Sequence, residues 1–425
     1  MVTWVMIDFK LGRFGRNVIT LMFGTVLAQA IPFIFAPLLT RIYSPSEFGL
    51  LGIYSAVVSI GVVFATGRYE LAILLPKSEK SAFNLLQSSF AISAFVSLLL
   101  LLAIYNFGGE VTKVFNLNYD PFYLYFIPFG VFFVSISQIL NYWHNRQSRY
   151  KELALARVYQ SLSVAVLQFL FSFIVVSAAG LICGVLFGSV IYCVYLIRLH
   201  LLKSTYFLSV LSFSKTVVLL KKYRSYPLID GPTTLLGVAS MQSPIILLPI
   251  LFNPKVAGFF FLAQKMLSVP ITLISNAVLD VFKQIITKKH NENICIKSDF
   301  LKLLFSLSLI SLLFTVFGFL YFVDLFMFVF GGEWEESGVY AELLIPALAL
   351  RLIANPLSFI IYLSGRQGIN LFCAVTLLLS ILISLYTAGT PYDAVIFISL
   401  SFSVYYTIRI IISYILACVV SGSNV

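Results

Sequence analysis

Three cations lie inside long hydrophobic runs of this chain: Lys265, Arg351 and Arg409. A charge at the centre of a bilayer costs about 2.5–3.5 kcal/mol, so such residues face a cavity or a partner. Arg offers a planar fork to phosphate oxygens, whereas Lys acts as a mobile point charge. Deep cations with few deep carboxylates therefore suit a polyanion. Lys265 and Arg351 fall near the middle of their runs. Arg409 lies in the inner half of the last one, where snorkelling to the surface competes with a cavity role. Arg68 and Glu70 end the second run, and Asp280 ends the eighth. Arg68 joins the candidate cavity cations. Glu70 and Asp280 are candidates for coupling to an ion or proton, against a plainer reading as helix-end surface pairs.

Other chemistries find little support. No Asp-x-Asp pair is present for a metal-dependent glycosyl transfer, and no Gly-rich loop ends in Lys-Ser/Thr to cradle a nucleotide. The five cysteines form no metal-like pair, and four lie in apolar runs as small hydrophobes. His144, His200 and His290 are expected in connections rather than in a relay across the membrane. Glu333, Trp334, Glu335 and Glu336 form an acidic connection that reads as solvated, though it is placed where it would meet emerging sugars. We expect no catalytic residue, no metal and no cofactor.

The elements that must position the cations are membrane helices. Of 425 residues, 60% are hydrophobic and 11% charged, too few charges to cover a soluble domain. The runs are continuous rather than alternating, which points to helices instead of barrel strands. Spans are expected at 17–39, 47–67, 82–105, 121–141, 157–178, 180–199, 228–250, 257–282, 301–323, 340–363, 369–388 and 394–419. With the N-terminus in the cytoplasm, 22 Lys and Arg fall on cytoplasmic connections, against Arg41, Lys113 and Lys255 outside. Cationic loops resist translocation, so both termini are expected in the cytoplasm. The net charge of +11 is spread between spans, as lipid headgroups favour, and not gathered into a nucleic-acid patch. Met1–Asn17 lacks a small-residue cleavage site, so no removable signal peptide is expected.

The chain also repeats itself. Ser44-Pro45-Ser46-Glu47-Phe48-Gly49-Leu50 follows the first span, and Asn253-Pro254-Lys255-Val256-Ala257-Gly258-Phe259 follows the seventh. The preceding spans each carry two prolines five residues apart: Pro32 and Pro37, then Pro244 and Pro249. A parallel duplication into lobes 1–215 and 216–425 follows, related by a pseudo-twofold axis along the membrane normal. The fold expected is thus all-α and polytopic, about twelve helices in two lobes of six. Paired prolines loosen a helix, which makes spans one and seven candidate hinges; a fixed kink kept for packing weighs about equally.

At Leu38–Leu86, with Arg68-Tyr69-Glu70 and Leu75-Pro76-Lys77, the chain resembles bacterial polysaccharide-unit flippases. Tyr223–Lys289 carries the same resemblance through Tyr226-Pro227, Pro244, Leu251-Phe252, Ala263-Gln264-Lys265, Pro270 and Val281-Phe282. Wzx-type O-antigen flippases are the family meant, within the superfamily of multidrug, oligosaccharidyl-lipid and polysaccharide exporters. The resemblance implies two lobes around a cavity that opens alternately to either face of the bacterial inner membrane. It implies an undecaprenyl-diphosphate-linked oligosaccharide as substrate, coupling to an ion gradient, and a polysaccharide polymerase and chain-length regulator as partners. A drug extruder of the same architecture is the rival, but cationic cargo favours deep carboxylates over deep Lys and Arg. A flippase for another lipid-linked polymer precursor is a second alternative.

Overall fold

The computed structural model describes residues 13–114, 121–174, 176–201, 213–292, 294–364 and 368–422. Among them are no strands and twelve helical segments long and apolar enough to cross a bilayer. In chain order these are α1 (Leu21–Thr40), α2 (Pro45–Thr66), α3 (Glu79–Glu110), α4 (Phe122–Arg146), α5 (Tyr150–Phe171), α6 (Ala178–Leu199), α7 (Tyr226–Leu251), α8 (Pro254–His290), α9 (Lys297–Phe330), α10 (Gly332–Leu363), α11 (Gly368–Thr387) and α12 (Pro391–Cys418).

The repeated turns start helices by the same device. Ser44 ends the turn before α2 with its backbone N–H and hydroxyl donated to Glu47 Oε2, at 2.7 and 2.9 Å, and Pro45 takes the first helical position. Asn253 does the equivalent before α8, its Oδ1 accepting the Val256 N–H at 3.0 Å, with Pro254 first in the helix. A side-chain oxygen satisfies an otherwise orphan donor, and proline loses nothing where its missing N–H has no partner.

Packing repeats as well. α1 lies on α5 as α7 lies on α11; α2 on α4 as α8 on α10; α3 on α4 as α9 on α10; α5 on α6 as α11 on α12. Two lobes of six helices are therefore related by a pseudo-twofold axis. They meet chiefly where α2 packs on α7 and α8. At the start of both helices the approach is so close that a Cβ on Gly49 would overlap the Pro254 carbonyl oxygen, and one on Gly258 the Pro45 carbonyl oxygen. Only glycine allows two backbones this near.

Several expectations need correction. Helices α8 and α9, at 37 and 34 residues, extend past the expected spans: α8 continues through the polar Lys283–His290, and α9 starts at Lys297 and continues through the largely apolar Asp324–Phe330. Ala178, Ala179 and Gly180 open α6 and are not the turn before it, since α5 ends at Phe171 and extended Ser177 caps the start of α6. The acidic connection is shorter than expected: α9 runs to Phe330, and Trp334 is 1% exposed, inside the protein. His144 is buried in α4, its Nδ1 2.9 Å from the Leu140 carbonyl oxygen, not in a connection. His200 has no described side chain. The four candidate hinge prolines sit within helices that continue through them.

Candidate functional site

Residue types at the α2 terminus decide what the lobes share. Gly67 and Arg68 both adopt left-handed backbone, φ +52° and +60°. For Arg68 this costs of order 1–2 kcal/mol. The turn aims Arg68 across the lobe boundary. Its Nε donates to Asp230 Oδ2 of α7 at 2.7 Å, and its Nη1 to Glu70 Oε1 at 3.2 Å. Gln138 of α4 donates to the same Glu70 oxygen at 3.2 Å. Arg146 steadies the segment that follows, donating to the carbonyls of Ile73, Leu74 and Pro76.

Glu70 is fully buried, and its Oε2 has no hydrogen-bond partner. Burial pushes this carboxyl above the usual glutamate range, only partly countered by the Arg68 charge and by hydrogen bonding to its own backbone and to Thr66. Burial works against the Arg68 guanidinium too. Its bond to Asp230 and the charges of Glu70 and Asp230 nevertheless hold it above its ordinary value. One cation is thus shared by two carboxylates.

Two cavities flank this bridge. One of about 690 Å³ is lined by Arg68, Tyr226, Asp230, Thr234, Tyr362, Asn370, Tyr405 and Arg409, among others. The other, about 640 Å³, is lined by Ser59, Arg68, Gln138, Thr234, Met241 and Gln242 with apolar neighbours. Arg68, Thr234 and Gly237 line both, so the bridge stands where the two spaces meet. Arg409 is positioned by its own helix and by α10. Nη1 donates to Tyr405 Oη at 2.7 Å, Nε to Ser358 Oγ at 3.1 Å, and the guanidinium lies over the Tyr405 ring at 5.5 Å.

At the Thr40 end of the bundle the space is closed. Trp334 Nε1 donates to the Thr40 carbonyl at 2.9 Å, crossing between lobes. The indole meets Phe48 of α2 and Phe259 of α8 edge-on, with ring centroids 5.0 and 6.1 Å away. The crossed glycines complete the seal.

Of the cations expected in one cavity, Arg68 and Arg409 share it. Arg351 borders a separate void of about 10 Å³ beside Gln264 and Tyr406, its Nη1 donating to Ser268 Oγ at 3.3 Å. Lys265 lines a separate crevice of about 60 Å³ between the lobes, with Pro32, Phe48 and Gln168, and its ammonium lies 5.4 Å from the Phe261 ring centroid. Glu70 stands beside Arg68, whereas Asp280 is exposed on α8. Asp230 escaped the sequence reading, because 162 residues separate it from its partner. Its one signal was a carboxylate four residues after Tyr226, at the start of an apolar run.

Solved MOP-superfamily transporters share this fold. An inward-facing multidrug-resistance MATE family transporter superposes with a TM-score of 0.74 over 93% of this chain and 96% of its own, at 13% identity. The lipid II flippase MurJ, inward closed, gives 0.69 over 96% and 90% at 13% identity. A MOP-superfamily transporter from Pyrococcus furiosus, described as having a binding pocket of reversed polarity, gives 0.60 over 97% and 98% at 14% identity. At the level of sequence, the profile of the polysaccharide biosynthesis protein family matches residues 38–339, and the chain belongs to that family. Comparison with curated proteins finds no match.

Proposed function

We propose that the chain flips undecaprenyl-diphosphate-linked oligosaccharide repeat units, of O-antigen or a similar surface polysaccharide, from the inner to the outer leaflet of the bacterial cytoplasmic membrane. The observation that carries this reading is the cavity lined by Arg409 and by Arg68 with its partner Asp230, where the Arg409 guanidinium, bonded to Tyr405 and Ser358, offers its fork to a diphosphate. Family membership supports a role in polysaccharide assembly. Charge asymmetry along the sequence puts both termini in the cytoplasm, so the Arg68 end faces the cytoplasm and the Thr40 end faces outward. The division between lobes falls at 215/216.

In this reading the diphosphate enters from the cytoplasmic side, and the prenyl tail stays in the bilayer. Bending at Pro32, Pro37, Pro244 and Pro249 then closes one mouth and opens the other. Arg351, between the cavity and the closed end, would take the head group later in the cycle. Lys265, in the inter-lobe crevice, would act when that crevice widens. A polymerase and a chain-length regulator would receive the unit at the outer face.

The test is expression, with the neighbouring biosynthesis genes, in a strain whose own repeat-unit flippase is deleted. Restored surface polymer, lost again in Arg68→Ala/Arg409→Ala protein that still inserts, is the expected result. Failure to restore polymer, with raised resistance to cationic drugs instead, would replace this reading with a multidrug extruder. Restoration of a different surface polymer alone would point to another lipid-linked precursor.

A further inference from the structure

Glu70 and Asp230 compete for one guanidinium from opposite lobes, and the cluster of two carboxylates and Arg68 carries one net negative charge. Glu70 is fully buried with Oε2 unpartnered, a geometry that leaves an acceptor open inside the protein. We propose that Glu70 binds a proton on Oε2, and that this proton ties the two lobes together through Arg68 and Asp230.

Each element packed around the carboxyl contributes to this balance. From its own turn it faces Arg68, from α4 Gln138 and the Tyr142 phenol, and from α7 Asp230. An ionised Glu70 draws Arg68 towards its own lobe. A proton taken from cavity water converts the carboxylate to a neutral acid and removes that pull. Arg68 and Asp230 are then left as a one-to-one pair spanning the lobes. The reverse holds by linkage: bringing Asp230 close raises the proton affinity of Glu70, since a nearby negative charge disfavours a second one. Because Arg68 also stands where the two cavities meet, the same proton decides whether its guanidinium is shared with Glu70 or committed to Asp230 alone. This inference rests on the transport reading only for its purpose; the proton site itself requires no substrate.

The experiment follows from that independence. Spin labels at exposed Lys77 and Lys288, one in each lobe, report the inter-lobe distance in full-length protein in nanodiscs. The five native cysteines are replaced and no substrate is added. A step from pH 8 to pH 5.5 is expected to raise the ratio of joined to separated lobes about tenfold, within the usual range of coupling between two sites. Glu70→Gln should stay joined at both pH values, Asp230→Asn should stay separated at both, and Glu70→Asp should respond with a displaced midpoint. Wild-type distances that ignore pH, or a Glu70→Gln protein that still follows it, would overturn the proposal. So would a shift driven by Na⁺ at fixed pH and unchanged in Glu70→Gln. Loss of pH response with intact polymer export refutes the proton site alone; loss of export with an intact response refutes only the flippase reading.

Discussion

Gly49 and Gly258 sit at one crossing, each against the carbonyl of the proline that opens the other's helix. Alanine at either position must push α2 and α8 apart, and overpacking of this kind costs about 1–3 kcal/mol. Gly49→Ala and Gly258→Ala are therefore expected to lower the melting temperature in detergent, whereas Gly109→Ala, with nothing near its side-chain position, should not. Equal melting of all three would remove the crossing as the seal of that end.

Trp334 tests the same end by a different bond. Trp334→Phe keeps most of the aromatic packing against Phe48 and Phe259 but leaves the Thr40 carbonyl without its donor. A buried acceptor left unmade costs about 1–3 kcal/mol. Maleimide labelling of a cysteine placed at buried Ser337 should rise in Trp334→Phe membranes, as the Thr40 end opens more often.

Arg68 and Arg409 line one cavity while Lys265 lies in another space. Single alanine variants of the two arginines should each reduce surface polymer more than about tenfold, as removal of a buried charge contact does. Their effects should combine non-additively. Any effect of Lys265→Ala should combine with Arg409→Ala additively. A double-mutant cycle in the polymer assay gives the answer, and additivity of Arg68 with Arg409 would separate them.

For Glu70 the sign of the pH effect is fixed by burial. A carboxyl held above the ordinary glutamate value, about 4.3, stabilises the fold at pH values below that range. The contribution is lost as pH rises through the raised value and the buried group must ionise. Wild-type protein should thus lose more thermal stability between pH 5 and pH 8 than Glu70→Gln, which stays neutral throughout. Parallel melting curves would show that burial does not govern this group.

How far the sequence could be read follows from the range of each interaction. Helices, their number and the duplication are written locally, in apolar runs and in the Ser44-Pro45 and Asn253-Pro254 turns. Arg68 and Glu70 were visible as charges at the end of a run. Their partner Asp230 was not, because no local rule joins the end of α2 to the start of α7. Trp334 was misplaced for the same reason: four consecutive residues rich in Glu read as a solvated loop, and only the meeting of lobes shows the indole pointing inward. The deep cations divide among three spaces, because which side chains share a cavity is set by packing between distant helices and not by position within an apolar run.

The glycine crossing also bears on how such a chain arose. Residue 45 meets residue 258 as residue 254 meets residue 49, so the contact is isologous, the kind two identical subunits make about a twofold axis. Six helices per lobe return each half to the side from which it started, and the halves can be joined without rebuilding either. The contact therefore suits a fused homodimer, in which each half inherited the surface its twin required. Neither glycine is free to diverge alone, since a side chain added to one copy strikes the backbone of the other.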